Sequence, residues 1–169
     1  FTTQNLSLLA NQILDFSISE HNKLFLNRSS INLKYQIDEI LKSLAIFTES
    51  KNNTLQITSN LLEDTMVYTD VVKIHQLLYN LIGNSNKFTT NGIIHVDVLY
   101  KKHSSKQESL TVTIKDNGVG ISEQDLVHVF ENHFQGDNRI EISNIGAGLG
   151  LNLCKEIVEL FSGEITISS

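Results

Sequence analysis

The sequence predicts an α+β fold, a two-layer sandwich in which a mixed, mostly antiparallel sheet carries helices on one face. Two observations predict it. Segments with helical periodicity alternate with segments in which every second residue is apolar, and two of the longest alternating segments follow one another directly, as in a hairpin. This order lacks the regular strand–helix repetition of a doubly wound fold. The 40% of apolar residues is enough for a sizeable core.

The first 26 residues predict a separate helix. Its apolar residues recur at alternating steps of three and four, as in the seam of a helix bundle; they are Leu6, Leu9, Ile13 and Phe16. A seam this narrow requires a partner helix, and the rest of the sequence offers none of the same kind. We therefore expect a helix over residues 1–27 and a compact domain over residues 28–169, both belonging to a longer chain.

The compact domain alternates helical and strand-like patterns. In its strongest helix pattern, Ile74, Ile82 and Phe88 are assigned to a broad apolar face. We expect one sheet to cover the apolar faces of the helices. The predicted elements, in order, are a strand at 29–33, a helix at 34–47, strands at 55–58 and 66–69, a helix at 70–89, hairpin strands at 94–100 and 110–114, a short helix near 123–130, a helix at 149–161 and a strand from residue 164.

Composition and charge exclude several classes of function. The net charge of -6 argues against nucleic acid as a partner, because neutralising phosphates requires a basic face. No apolar run approaches the roughly 18 residues of a membrane span, so we expect no membrane contact by this chain. The single cysteine, Cys154, cannot form an internal disulfide and fits a reducing, cytoplasmic compartment. Membrane anchoring of a parent protein stays open.

Three polar residues form a narrow stripe on the helix at 70–89. Asn80, Asn84 and Lys87 stand at positions i, i+4 and i+7, beside the apolar face. Amide oxygens can coordinate a hard cation, and a lysine can meet phosphate oxygens. The other interpretation is an ordinary solvated face, although asparagine is a mediocre helix former in mid-helix.

A second candidate site follows the strand at 110–114. Asp116 has the parity of the apolar residues in that strand and so points toward the core, where a carboxylate without a partner is costly. It can accept a hydrogen bond from an exocyclic amine, while Gly118 and Gly120 let the backbone approach a flat ring. The alternative is an aspartate that merely opens a turn at Asn117-Gly118.

A third candidate is the glycine-rich stretch before the last helix, which contains Gly146, Gly148 and Gly150. Closely spaced glycines before a helix expose N–H groups to an anion such as phosphate. The stretch is not a Walker A loop, because no Gly-Lys-Ser/Thr follows. A glycine-rich turn before a helix is common, so by itself it is weak evidence for a phosphate site. The succession of a cation stripe, an amine acceptor and a phosphate cradle is what favours a nucleotide site.

In this order the motifs resemble those of the ATP-binding catalytic domain of hybrid-type sensor histidine kinases, within the Bergerat-fold ATPases. His75–Thr89 resembles the N box of that family, Asp116–Ile121 its G1 box, Phe130–Gln135 its F box and Gly146–Leu151 its G2 box. Leu14–Ser17 resembles the end of a dimerisation helix. The resemblance therefore implies the Bergerat fold after residue 27 and one helix of a dimerisation bundle before it.

The resemblance implies binding of Mg-ATP and transfer of its γ-phosphoryl group to a histidine. Asn84 would be the main Mg ligand and Asn80 would act on the metal or its water. Lys87 would meet the phosphates, and Asp116 would accept the adenine amino group. The other residues implied around the nucleotide are Phe88, Gly118, Gly120, Ile121, Gly146, Gly148, Leu149 and Gly150.

The resemblance also implies partners. The family's phosphoacceptor histidine lies in a motif that ends in proline, and this sequence has no proline. We therefore expect the acceptor on a segment of the chain's own dimerisation domain that is absent here. The next partner in the phosphorelay would be a response-regulator receiver domain. The full-length protein is expected to be a homodimer.

Three residues depart from the family pattern. Asn86 stands where an apolar residue is usual, Ser85 where alanine is frequent, and His133 where the F box has an aromatic residue. These departures leave open a regulatory module that binds nucleotide without turnover. Another Bergerat-fold ATPase, such as a type II topoisomerase or chaperone domain, is a further alternative. Those enzymes hydrolyse ATP with a glutamate where this sequence has Asn80.

Overall fold

The computed structural model describes residues 25–104, 107–131 and 150–169. The helix predicted for residues 1 to about 26 therefore lies almost entirely outside the described residues. Residues 25–27 are described and are not helical, because Asn27 already docks on the compact domain through its N–H, 2.8 Å from Asp70 Oδ2. The elements in chain order are β1 (Ser29–Asn32), α1 (Leu33–Glu49), β2 (Thr54–Ser59), β3 (Met66–Thr69), α2 (Val71–Phe88), β4 (Ile93–Lys102), β5 (Glu108–Asp116), α3 (Glu123–Leu126) and α4 (Gly150–Leu160).

The strands of the described residues form two sheets. β1 pairs with β3 in antiparallel register, from Ser29 opposite Thr69 to Asn32 opposite Met66. In the second sheet β4 is central, with β2 parallel on one side and β5 antiparallel on the other. The mixed, mostly antiparallel character is confirmed. The expectation of a single sheet was wrong. β1 and β3 pair only with each other, and the three-stranded sheet consists of β2, β4 and β5.

Both long helices begin at side chains that satisfy free backbone N–H groups. The side chain of Asn32 accepts a hydrogen bond from the N–H of Tyr35 at 2.9 Å, and Asp70 accepts one from Lys73 at 3.1 Å. Thr89, which follows α2, is in an extended conformation with φ -113° and ψ 140°. α2 therefore begins after a capping side chain and ends where the backbone becomes extended.

The core lies between α1, α2 and the three-stranded sheet. α1 contributes a stripe that includes Ile37 and Leu41, and β4 contributes Val96 and Val98 from one of its faces. Each such aliphatic side chain stabilises the fold by about 1.5–3 kcal/mol when it leaves water. α4 packs on α2 and buries Leu153, Cys154 and Ile157. Helices on one face of the sheet are as expected.

Two further expectations were wrong. Phe88, assigned to the core face of α2, is 37% exposed, because the helix ends there and its ring leaves the apolar stripe. The strand predicted from residue 164 is not formed: residues 164–169 pair with no strand in the described part of the chain. An alternating pattern gives a strand only where a neighbouring backbone is available for pairing.

Candidate functional site

The polar stripe of α2, formed by Asn80, Asn84 and Lys87, lies on one side of the helix as its spacing predicts. The Asn80 amide donates to the carbonyl oxygen of Gln76 at 3.0 Å, so its orientation is fixed. Asn84 is half-buried, and its side chain forms no hydrogen bond within the described residues. Lys87 Nζ lies 5.0 Å from the centre of the Phe88 ring. The stripe thus presents an amide and an ammonium group to a ligand.

Gly83 lies beside this stripe, at a position that the described residues leave uncovered. Gly83 stands about one sixth of a turn from Asn80 on α2. A methyl group added at Gly83 would meet no atom within 4 Å among the described residues. Among the described residues, no atom therefore covers α2 at Gly83, next to Asn80.

The carboxylate of Asp116 stands at the end of β5, opposite Ile94 of β4. Its Oδ1 accepts two hydrogen bonds, from the N–H of Gly118 at 3.0 Å and from Thr89 Oγ1 at 3.4 Å. Its Oδ2 accepts none from the described residues. Asp116 is half-buried, as its strand parity predicted. One oxygen is held in place and the other remains available as an acceptor.

At Gly118 the backbone of the turn after β5 lies close to the backbone at the end of α2. A Cβ at this position would lie 2.5 Å from the carbonyl oxygen of Phe88, 2.7 Å from Thr89 Oγ1 and 2.9 Å from Asp116 Oδ1. The next N–H, that of Val119, donates to the same Phe88 carbonyl at 3.2 Å. The turn after β5 is therefore pressed against the end of α2. We call Thr89, Asp116 and Gly118 together the base site.

The end of the G1 box is also shaped by a glycine. Gly120 has a φ of +72°, a conformation that side-chain-bearing residues rarely adopt. The N–H of Ile121 donates to the hydroxyl of Ser169 at 2.7 Å, which ties the G1 box to residues near the end of the described chain. Both residues lie where the sequence placed them, on the turn that follows β5.

Gly150 brings the end of the G2 box to the polar stripe. It is the first residue of α4, and a Cβ there would lie 3.3 Å from Asn80 Oδ1. Asn80 of the N box and Gly150 of the G2 box are thus neighbours, although seventy residues separate them in the sequence. The other G2 residues of the candidate site, Gly146, Gly148 and Leu149, lie outside the described residues, as does His133.

A buried network of side-chain amides next to the base site was not predicted from the sequence. Asn53 Nδ2 donates to Asn86 Oδ1 and to the carbonyl oxygen of Thr89, each at 2.8 Å. Asn53 Oδ1 accepts from the N–H of Gly92 at 2.9 Å. Asn86, the departure from the family pattern, is therefore a satisfied buried amide. Its partner is 33 residues away in the chain, and no local pattern pointed to it.

Burial shifts the pKa of two groups, His75 on α2 and Cys154 on α4. Desolvation lowers the pKa of His75, which disfavours its charged form. Burial raises the pKa of the Cys154 thiol to about 12, so this sulfur is neutral and unreactive near neutral pH. In the described parts of the chain no group of three His, Cys, Asp or Glu residues can hold a metal ion. A cation here requires amide ligands together with oxygens that a ligand supplies.

These residues fit a Mg-nucleotide. Asn84 has an amide oxygen without a partner in the described chain, and such oxygens complement phosphate oxygens and water around Mg²⁺. Asp116 Oδ2 offers an acceptor to an amine, and the absence of a side chain at Gly118 keeps the turn beside it unfilled.

No helix in the described ranges combines the length and apolar character that crossing a membrane requires.

The sequence matches a known family and long curated relatives. Residues 69–169, more than half of the chain, match the family model of the histidine kinase-, DNA gyrase B-, and HSP90-like ATPase. The autoinducer 2 sensor kinase/phosphatase LuxQ of Vibrio cholerae is 32% identical over 166 residues, 98% of this chain and 19% of LuxQ. The signal transduction histidine-protein kinase BarA of Escherichia coli K12 is 34% identical over 172 residues, 99% of this chain and 18% of BarA. The chain spans about a fifth of these relatives' length.

Solved structures share the fold. Full-length ShkA in complex with AMPPNP superposes with a TM-score of 0.70 at 19% identity, over 94% of this chain and 31% of that one. The nucleotide-free catalytic domain of histidine kinase ThkA gives a TM-score of 0.60 at 25% identity, over 79% of this chain and 80% of that one. ThkA in complex with the response regulator protein TrrA gives 0.66 at 22% identity, over 95% and 43%. The Bergerat fold predicted from the motifs is confirmed.

Proposed function

The chain belongs to the histidine kinase-, DNA gyrase B-, and HSP90-like ATPase family and is an ATPase domain of the sensor histidine kinase type; from this premise we propose that it binds Mg-ATP between α2, the turn after β5 and the N-terminus of α4, and that the γ-phosphoryl group passes to a histidine. The observation that carries the proposal is the carboxylate of Asp116. Its Oδ1 is held by Gly118 and Thr89, while its Oδ2 has no partner in the described chain.

The adenine ring is assigned to the base site. Its exocyclic amine donates to Asp116 Oδ2, and the ring lies against the turn that Gly118 and Gly120 keep free of side chains. Phe88 forms the wall at the end of α2, and Ile121 lies beside the turn. An acceptor at this position selects a base that carries an amine there.

The phosphates are assigned to the polar stripe and the G2 glycines. Lys87 attracts the phosphate oxygens, and Asn84, with Asn80 behind it, supplies the amide oxygens for Mg²⁺. Backbone N–H groups of Gly146, Gly148, Leu149 and Gly150 meet the anion at the start of α4. Bound Mg²⁺ neutralises charge on the phosphate oxygens, which is what a loose phosphoryl-transfer transition state requires.

The acceptor and the downstream partner come from outside the described residues. We assign the acceptor histidine to the dimerisation domain of the parent protein, to which we also assign the residues that precede the compact domain, and we expect that parent to be a homodimer. The phosphate then passes to a response-regulator receiver domain. Support for this last step comes from the structural similarity to ThkA in its complex with the response regulator TrrA.

Phosphotransfer is tested by incubating the chain with γ-labelled ATP, Mg²⁺ and a separately supplied dimerisation segment of the parent protein. We expect label on the segment, lost in Asn84→Ala, and slow release of inorganic phosphate. The matched control is Asn60→Ala, which removes an exposed asparagine bonded to the backbone of Tyr100 at the far end of the sheet. Rapid hydrolysis without labelling would instead identify a hydrolytic ATPase. ATP binding without labelling or hydrolysis would identify a regulatory module.

A further inference from the structure

The side chain of Asn53 joins two parts of the fold that flank the base site. It is 2% exposed and follows the turn at the end of α1. On one side its Nδ2 donates to the carbonyl oxygen of Thr89, at 2.8 Å, just after α2. On the other side its Oδ1 accepts from the N–H of Gly92, at 2.9 Å, just before β4. Asn53 thereby bonds both to the end of α2 and to the start of β4, beside the N–H of Thr54, which donates to the Gly92 carbonyl at 2.9 Å.

The first connection continues directly to the carboxylate of Asp116. Thr89 is 1% exposed, so its position is fixed by the residues around it. Its backbone carbonyl accepts from Asn53 Nδ2, and its hydroxyl group donates to Asp116 Oδ1 at 3.4 Å. A displacement of Thr89 would therefore move one of the two groups that hold the carboxylate.

The second connection reaches the residue after Asp116. A Cβ on Gly92 would lie 2.4 Å from Asn117 Oδ1, so these two residues are packed without a gap. Asn117 Oδ1 accepts from the N–H of Ile93 at 2.8 Å, and its own N–H donates to the carbonyl of Ile93 at 3.3 Å. Holding Gly92 in place therefore holds the backbone that carries Asp116 into the turn.

We propose that Asn53 is a positioning residue for nucleotide selection, which orients Asp116 toward the exocyclic amine of the base through Thr89 on one side and Gly92 on the other. The inference rests on the proposed function. Asn86 completes the arrangement, since its amide oxygen accepts the second hydrogen of Asn53 Nδ2 at 2.8 Å. A polar residue at position 86 thus serves the amide of Asn53, where an apolar residue would leave that hydrogen without an acceptor.

The test compares ATP with purine riboside triphosphate, which differs from ATP by the absence of the exocyclic amine. The ratio of the two dissociation constants reports the contact with Asp116 and cancels effects on phosphate binding or on the folded fraction. We expect the wild-type chain to prefer ATP. In Asn53→Ala that preference should fall by at least about fivefold, the loss expected when a hydrogen bond to a charged group is misaligned, while affinity for the analogue changes by less than about twofold.

The control is Asn60→Ala. Asn60 also bridges backbone groups with its amide, donating to the carbonyl of Tyr100 at 2.9 Å and accepting from its N–H at 2.7 Å. Tyr100 lies six residues along β4 from Ile94, the partner of Asp116, which is about 20 Å at strand spacing. This variant should keep the full preference for ATP.

A second variant, Asn53→Asp, keeps the shape of the side chain and the oxygen that accepts from Gly92. It removes the N–H groups that donate to Asn86 and Thr89, and it replaces Asn53→Ala in the test if that variant does not fold. An unchanged preference for ATP in a folded Asn53 variant would overturn the inference and leave the proposed function standing. An equal loss in Asn60→Ala would overturn it as well, because the preference would then respond to a substitution about 20 Å away along β4 and would not depend on the contacts of Asn53 with Thr89 and Gly92. A wild-type chain that binds ATP no better than the analogue would overturn the role of Asp116 itself.

Discussion

The proposal for the base site depends on the positions of single atoms. Gly118 lies against the Phe88 carbonyl, and Asp116 has one oxygen held and one available. The sequence identified both residues, because a carboxylate at a core-facing strand position and a following glycine are unusual enough to be noticed. It did not identify Asn53 or its pairing with Asn86, because that contact joins positions 33 residues apart and follows from tertiary packing alone.

The close approach at Gly118 predicts the effect of one methyl group. Gly118→Ala should lower the free energy of unfolding by about 1–3 kcal/mol, since the added carbon would meet the backbone oxygen of Phe88 and two side-chain oxygens. The control is Gly83→Ala, where the methyl group meets open space within α2 and should raise stability by about 1 kcal/mol. Urea unfolding of both variants measures the difference. Equal stability of the two variants would show that the turn after β5 is not tightly packed.

At the level of elements, α2 carries both the core and the candidate site. Its apolar side, with Ile74, Leu78 and Ile82, is buried, and its polar stripe lies beside Gly83, where an added Cβ would meet no described atom within 4 Å. Periodicity predicted this division because it depends on one helix alone. Periodicity could not predict which strands would pair: β1 and β3 form a sheet of their own, and residues 164–169 have a strand-like pattern without a neighbour in the described chain.

His75 on α2 should make stability depend on pH. In the unfolded chain its imidazole takes up a proton at the ordinary pKa of 6.5, and burial lowers the pKa in the folded chain. As pH falls through 6.5 the unfolded state binds more protons, so the free energy of unfolding decreases until pH passes below the folded pKa. His75→Gln should lose less stability than the wild type between about pH 7.5 and about pH 5.5 in urea titrations. Identical losses would contradict this.

For the whole molecule, α4 packs on α2, and the buried Cys154 reports on whether this packing opens. The sulfur is 0% exposed and its pKa is raised to about 12 by burial. We expect no reaction with iodoacetamide in the folded chain at neutral pH, and rapid reaction once urea has passed the unfolding midpoint, because exposure restores an ordinary thiol pKa. Mass spectrometry of the alkylated protein measures this. Rapid alkylation without urea would show that α4 detaches from α2 in the native state.

The motifs predicted the family better than the pattern of elements predicted the topology. Four boxes in a fixed order carry the chemistry of the family, and residues 69–169 match its model. The convergence of Asn80 with Gly150 and of Phe88 with Gly118 depends on how α2 lies against α4 and against the end of β5. The order of the boxes implied this convergence only through the resemblance, since spacing along a chain does not determine distances across a fold.

The most direct measurement is calorimetric titration of ATP into the chain with and without Mg²⁺, beside Asn84→Ala and Asp116→Ala, with circular dichroism to confirm that each variant is folded. We predict binding that weakens without Mg²⁺ or in Asn84→Ala, because the amide ligand and the metal act together on the phosphates. We predict no measurable binding in folded Asp116→Ala. A folded wild-type chain that binds no adenine nucleotide, or a folded Asp116→Ala variant that binds ATP as well as the wild type does, would contradict the account.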